Sequence, residues 1–214
     1  MSSELIVPLP PQARGRARFE ALLEAAAALI AERGVDGAAF SEVARRAGTA
    51  QGSLYQYFPS KAALVATLHA RLADQLVAEI SRCRDALRSE SAAWTVSRML
   101  DILLPRLAAF YADHPAYREI RHALPREPEI LAAEARADQR SARLLQEMLT
   151  ATGLRLQPAR APHIAEALIE AGDALLPWAA RDAGRLAEVK AMMLAYLSAA
   201  TEDAASPTSG RGGS

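Results

Sequence analysis

The stretch that decides the fold is FSEVARRAGTAQGSLYQYFPSK, residues 40–61. Its apolar residues recur at helical spacing and predict two short helices, separated by a turn that Gly48 permits. A helix-turn-helix needs this arrangement, with a small polar outer face on its second helix that can enter the major groove of DNA. The residues that would form this outer face are Gln51, Gly52, Ser53 and Gln56. The segment therefore predicts a helix-turn-helix; the alternative is a helical hairpin whose aromatic residues are only core.

Helical periodicity continues on both sides of this segment. A first helix is expected to end at Gly34, and Ser60 is a good N-cap for a helix of nearly 28 residues, about 40 Å long. Pro105 is expected to kink a later helix that ends at His114. The final two helices are expected at about 160–182 and 184–201. No alternating strand pattern occurs, so the chain is predicted to be all-α.

Composition and the lack of known motifs argue against a membrane protein, a secreted protein and an enzyme. The 214 residues carry 25 basic and 25 acidic side chains, so net charge gives no sign of nucleic-acid binding. Cys83 is the single cysteine, and the N-terminus lacks a signal-peptide pattern, so we expect a cytoplasmic chain with no membrane segment. No metal-ligand spacing, catalytic motif or phosphate loop is present, which predicts no cofactor, no metal and no enzyme.

Residues 40–61 resemble the TetR (TetR/AcrR) family of transcriptional regulators. The residues that carry the resemblance, which extends over about residues 16–72, are Val43, Ala44, Ala47, Gly48, Gly52, Ser53, Leu54, Tyr55, Tyr57, Phe58, Ser60, Lys61, Ala62, Ala63 and Leu64. It implies an N-terminal three-helix DNA-binding domain, joined by a long helix to a C-terminal helical domain for ligand binding and dimerisation. The corresponding division is a helix-turn-helix domain at 14–76 and the C-terminal domain at 77–201, while proline content and polar composition predict a flexible arm at 1–13 and a disordered tail at 202–214.

The resemblance also implies roles for single residues. The positions that would face or approach bases are Gln51, Gly52, Ser53, Tyr55 and the neighbouring Gln56. Those that would hold phosphates are Ser41, Thr49, Tyr57 and Lys61. Ala39 and Ala50 stand where the family usually has a capping Ser or Thr, so Thr49 is expected to cap the second helix instead. Arg14, Arg16 and Arg18 are expected to add DNA affinity or to form a solvated arm.

A small-molecule site is implied for the C-terminal domain. Its candidate residues are Trp94, Met99, Leu103, Phe110, Tyr111, His114, Tyr117 and Trp178. They offer little compensating charge, so the expected effector is largely apolar and uncharged. The alternative for each residue is ordinary core.

A homodimer is expected through the last two helices. Their apolar residues at helical steps include Ile164, Leu168, Ala171, Leu175, Val189, Met193 and Leu197. Two such helices from each subunit would form a four-helix bundle, whereas the alternative is an intrachain core. The expected function is a repressor that a small apolar effector releases from a near-palindromic double-stranded operator. The alternative is a TetR-like DNA binder controlled by a protein partner, or constitutive, without such an effector.

Overall fold

The computed structural model of the chain describes residues 5–89, 93–123 and 128–205. Every regular element in these ranges is an α-helix. The helices are α1 (Ala13–Gly37), α2 (Phe40–Arg46), α3 (Gln51–Tyr57), α4 (Lys61–Arg88), α5 (Val96–Asp113), α6 (Pro115–Ala123), α7 (Pro128–Ala151), α8 (Ala161–Ala179) and α9 (Ala183–Ala205). The predicted all-α fold class is confirmed. In this part of the chain, no helix is long and apolar enough to cross a membrane.

Two residues that were predicted to begin or end helices have the expected local structure. The Ser60 hydroxyl accepts a hydrogen bond from the Ala63 amide at 3.1 Å, so it caps α4, which runs for 28 residues. Gly34 has a φ of 71° and a ψ of 173°, which breaks the helical geometry three residues before α1 ends. Both positions were expected to begin or end a helix. Helix α5 continues through Pro105, and a kink there stays a prediction.

The described residues form two compact units. The first contains the chain up to Val77 together with Phe110–Ala137, and the second contains Ala78–Ala109 and the chain from Asp138 onward. The packing therefore groups α6 with the N-terminal helices, whereas the sequence assigned it to the C-terminal domain. Helix α6 packs on α1, and its buried residues are Ala116, Tyr117 and Ile120.

Each unit has its own apolar core. In the first, the largest fully buried side chains are Phe19, Leu22, Leu29, Ile30, Leu54, Phe58, Leu64 and Ile120. In the second, α8 packs on α9, and Leu87, Met99 and Leu100 are fully buried. Burying an aliphatic or aromatic side chain contributes about 1.5–3 kcal/mol, so these residues account for much of the stability of either unit.

Both ends of the described chain differ from expectation. The segment predicted as a flexible arm is attached near Val7, whose amide donates to the Thr67 hydroxyl at 2.9 Å. Thr67 is buried in α4 and donates in turn to the Ala63 carbonyl at 2.7 Å. Helix α9 continues to Ala205, four residues beyond the expected end, and the rest of the predicted tail lies outside the described residues.

Candidate nucleic-acid interface

The turn between α2 and α3 depends on Gly48. Its φ of 64° lies in the left-handed region that a β-carbon disfavours. The Gly48 amide donates to the Arg45 carbonyl at 3.2 Å, and the Thr49 amide donates to the Ala44 carbonyl at 3.0 Å. These bonds close the turn, as the sequence predicted from the glycine.

The inner side of α3 is fixed by two apolar residues. Leu54 and Phe58 are completely buried, and Phe58 stacks on Phe19 of α1 with ring centroids 4.9 Å apart. Phe58 directly follows the last residue of α3, and the burial of both side chains sets which face of α3 points inward.

The outer side of α3 is polar, small and open. Its exposed residues are Gln51, Gly52, Tyr55 and Gln56, whereas Ser53 is half-buried. A β-carbon at Gly52 would meet nothing within 4 Å. Tyr55 is 51% exposed, and its ring contacts Phe40 of α2 edge-on at 5.0 Å. The structure thus brings the predicted base-facing residues together on one short helix.

The predicted phosphate-binding residues surround this helix. Ser41 is exposed on α2, and Thr49 is half-buried in the turn. Tyr57 is half-buried, with its ring edge-on to Phe19 at 6.3 Å. The Lys61 ammonium donates to the Asp36 carbonyl at 3.1 Å. An ammonium has three donors, so this bond leaves Lys61 able to meet a phosphate as well.

Both short helices begin at an alanine. Ala39 and Ala50 have the extended backbone of N-cap residues, and neither helix has a side-chain capping bond. The prediction that Thr49 caps α3 is wrong, because Thr49 precedes the N-cap position by one residue. A methyl group cannot accept a hydrogen bond, so the first amides of α2 and α3 lack the usual side-chain acceptor.

Most basic side chains near these helices have intramolecular partners. Arg45 pairs with Glu42 at 2.5 Å, and Arg46 pairs with Glu32 at 2.6 Å. The hydrogen bonds from these arginines lower the pKa of both carboxyl groups, so the carboxylates are ionised at neutral pH. Among the N-terminal arginines, Arg16 donates to the Pro11 carbonyl at 2.7 Å, whereas the side chains of Arg14 and Arg18 are exposed.

Two family models match the chain in agreement with this geometry. The model described as bacterial regulatory proteins, tetR family, matches residues 22–68, and the model described as tetracyclin repressor-like, C-terminal domain, matches residues 95–197. The chain belongs to the TetR family.

A curated relative agrees with this assignment. The uncharacterized HTH-type transcriptional regulator YvdT of Bacillus subtilis (strain 168) is 38% identical over 96 residues, which is 45% of this chain and 45% of YvdT. The matched stretch thus spans less than half the length of that relative.

Solved structures show the same fold. A putative transcriptional regulator from Pseudomonas aeruginosa PAO1 superposes with a TM-score of 0.69 at 17% identity, covering 90% of this chain and 95% of that one. The transcriptional regulator FadR from Bacillus subtilis, solved in complex with stearoyl-CoA, has a TM-score of 0.63 at 18% identity, and the match covers 84% of this chain and 97% of FadR.

The residues predicted to line an effector site in this TetR-family chain fall in both compact units. In the second unit, Met99 and Leu103 are buried, and the Trp94 indole donates to the Leu87 carbonyl at 3.0 Å. Trp178 does not join a core: it is 50% exposed, and the Arg185 guanidinium lies 4.8 Å from its ring centroid.

The other predicted effector-site residues form an aromatic cluster in the first unit. Phe110, Tyr111 and Tyr117 are buried, and His114 is half-buried. The Phe110 ring lies 4.7 Å from His114, 5.6 Å from Tyr111 and 5.6 Å from Tyr117. The structure therefore brings these four residues together, as the sequence grouped them.

His69 is not among the residues that the sequence predicted for a site, yet it joins the aromatic cluster from α4. Its side chain is 2% exposed and, in the described part of the chain, its Nε2 atom is buried without a hydrogen-bond partner. Burial, and secondarily the charge of Arg121, lower its pKa to about 4. The burial of His69 could have been predicted from the sequence, because Val65, His69 and Ala73 follow one another at four-residue steps on the buried side of α4. Within the described ranges, no three His, Cys, Asp or Glu residues are grouped as a metal site.

The residues predicted for the dimer interface lie mostly inside the chain. Those already buried without a second subunit are Ile164, Leu168, Val189, Met193 and Leu197, whereas Ala171 and Leu175 are half-buried. A side chain that its own chain covers adds little area to an interface between subunits. Burial within one chain is what the intrachain alternative expects at these five positions, and their place in a dimer interface stays a prediction.

Proposed function

We propose that the protein is a DNA-binding transcriptional regulator that represses its genes from a near-palindromic operator. The observation that carries this proposal is the outer face of α3, which is small, polar and exposed while Leu54 and Phe58 fix its inner face. A helix with such a face can approach base edges in the major groove. Membership in a family of bacterial regulatory proteins supports a regulator rather than an enzyme. The proposed regulator acts in the cytoplasm and needs no cofactor.

The proposal is tested by selecting bound duplexes from a random library with the full chain and titrating the selected duplex at several salt concentrations. Tyr55→Ala is expected to weaken binding to the selected sequence. Lys61→Ala is expected to weaken binding and to reduce the salt slope by about one unit, because one phosphate contact is lost. The matched control is Lys190→Ala, which removes the same charge from an ammonium paired with Asp101 in the second unit. Unchanged affinity in both Tyr55→Ala and Lys61→Ala would refute the proposal.

The functional form is proposed to be a homodimer that places two copies of α3 in successive major grooves, about 34 Å apart. The outward faces of α8 and α9 support an interface there. Their exposed residues of small or apolar type include Ala167, Ala174, Trp178, Ala187, Ala191, Met192, Ala195, Tyr196 and Ala199. Small residues let helices approach closely, and a second copy of the same face would cover Trp178 and Tyr196.

A largely apolar small-molecule effector is proposed to release the operator. The aromatic cluster around Phe110 supports an apolar ligand, because burying an unpartnered charge costs several kcal/mol. The structural neighbour FadR was solved in complex with stearoyl-CoA, and only the acyl chain of that ligand is apolar, because its coenzyme A portion carries phosphate charges. The ligand must bind one state of the protein better than the other to change DNA affinity.

The proposed class of effector is tested by measuring whether apolar, cationic or anionic compounds release the protein from the operator. Apolar compounds are expected to release DNA from the wild type, and Phe110→Trp, which adds bulk inside the aromatic cluster, is expected to alter this response. Release by strongly charged compounds alone, with Phe110→Trp responding as the wild type, would contradict the proposal. A regulator controlled by a protein partner, or by nothing, would bind the operator and respond to no compound.

A further inference from the structure

Helix α2 presents a basic side chain beside a predicted phosphate-binding residue. Ser41 and Arg45 are four residues apart and both exposed, so they are neighbours on the outward face of the helix. In a helix-turn-helix the first of the two helices crosses the DNA backbone while the second enters the groove. A backbone that reaches Ser41 is therefore within the range of a long side chain at position 45.

The Arg45 side chain is held by a carboxylate in the free protein. Its Nη2 atom lies 2.5 Å from one Glu42 oxygen, and its Nε donates to the other at 2.8 Å, while the side chain is 74% exposed. A guanidinium fork fits two oxygens of a carboxylate or of a phosphate in the same geometry. Glu42 thus occupies the place on Arg45 that two phosphate oxygens would take.

We propose that Arg45 is a phosphate-binding residue of the DNA interface and that a DNA phosphate replaces Glu42 as its partner on binding. This inference rests on the proposed function, since it requires α3 to enter the major groove. Glu42 has two opposing effects: it orients the guanidinium in the free protein, and it repels the incoming phosphate. The second effect dominates, because an exposed ion pair is screened by solvent and contributes little, so Glu42 reduces DNA affinity.

The neighbouring pair of Arg46 and Glu32 provides a control on the same helix. Arg46 is five residues from Ser41, so it points away from the Ser41 face, and its partner belongs to α1. Substitutions in this second pair change the net charge by the same amount, at a place that the DNA backbone does not reach. Comparing the two pairs separates a direct phosphate contact from a long-range effect of charge.

The test measures binding of the full chain to a labelled random-sequence duplex over a range of salt concentrations, since a phosphate contact does not depend on sequence. Arg45→Gln is expected to reduce the salt slope by about one unit and to weaken binding about fivefold to tenfold near 0.1 M salt. Arg45→Lys is expected to retain the slope, and Glu42→Gln to tighten binding about threefold or more with a steeper slope. Arg46→Gln and Glu32→Gln are expected to change affinity less than about twofold.

Several results would overturn the inference. Equal losses in Arg45→Gln and Arg46→Gln would show that only net charge matters, and weaker binding by Glu42→Gln would show that the carboxylate supports the DNA-bound state. Thermal unfolding followed by circular dichroism checks that each variant is folded. A wild-type chain that binds no duplex would refute the proposed function together with this inference, whereas wild-type binding with an unaffected Arg45→Gln variant would refute the inference alone.

Discussion

His69 of α4 and Tyr117 of α6 are stacked with nearly parallel rings, whose centroids lie 5.5 Å apart and whose planes differ by 7°. Tyr117 also contacts Phe110 and Tyr111, at 5.6 and 6.1 Å, so the imidazole belongs to a buried aromatic cluster. A protonated imidazole in this place would lose its hydration and face the charge of Arg121. At neutral pH the folded protein therefore holds His69 in its neutral form.

The first prediction concerns the pH dependence of stability. The pKa of His69 is lowered to about 4 by burial and by Arg121, whereas an unfolded histidine has a pKa of about 6.5. The unfolded chain therefore binds one more proton between these values, and the free energy of unfolding falls as the pH drops from about 6.5 to about 4, by about 3 kcal/mol at most. Above about 6.5 this loss is absent.

Urea unfolding at pH 7 and at pH 4.5 measures this contribution. His69→Phe keeps a ring beside Tyr117 and cannot titrate. Between pH 7 and pH 4.5, the free energy of unfolding of this variant should therefore decrease by about 2 kcal/mol less than that of the wild type. His122→Phe changes an exposed histidine and serves as the control. Equal pH dependence in the wild type and His69→Phe would contradict the burial of a neutral imidazole.

The second prediction concerns the two alanine caps. Ala39→Ser and Ala50→Ser supply an acceptor for the first amides of α2 and α3, and each should raise the free energy of unfolding by about 1 kcal/mol. Both positions are exposed, so the hydroxyl meets no steric obstacle. Ala31→Ser, at an exposed position inside α1, is the control and should be neutral or slightly destabilising. Chemical denaturation in which the cap variants and Ala31→Ser behave alike would contradict this account.

The third prediction distinguishes substitutions in the proposed dimer interface from substitutions in the core of the last two helices. Ala174→Glu with Ala195→Glu places charges on the outward faces and should give folded monomers. Leu168→Glu places a charge where the side chain is 6% exposed and should unfold the unit instead. Sedimentation and circular dichroism measure the two effects. An intact dimer in the outward double variant would place the interface elsewhere.

Local signals in the sequence were enough to predict most of the fold. Gly34, Gly48 and Ser60 begin or end helices through their own backbone or hydroxyl, so their effect depends on a few neighbouring residues. Such signals need no knowledge of tertiary packing.

The remaining features depend on tertiary packing. Leu168 and Val189 have the spacing of an interface helix, but the same spacing suits a helix that packs on its neighbour within the chain. Trp178 was expected to line a pocket because aromatic side chains are common there, but it lies at the surface beneath the Arg185 guanidinium. The ion pair of Arg46 and Glu32 joins residues 14 positions apart, which no local pattern connects.

The most direct test of the central claim, that the outer face of α3 contacts DNA, is a pair of measurements on Gly52→Ala. A β-carbon at position 52 meets nothing in the free protein, and alanine favours a helix over glycine, so the free energy of unfolding should stay the same or rise by about 0.5 kcal/mol. If the backbone of α3 lies against base edges, the added methyl group should weaken binding of the selected duplex about tenfold or more, a loss of about 1.4 kcal/mol. A variant as stable as the wild type that binds the duplex equally well would contradict the claim.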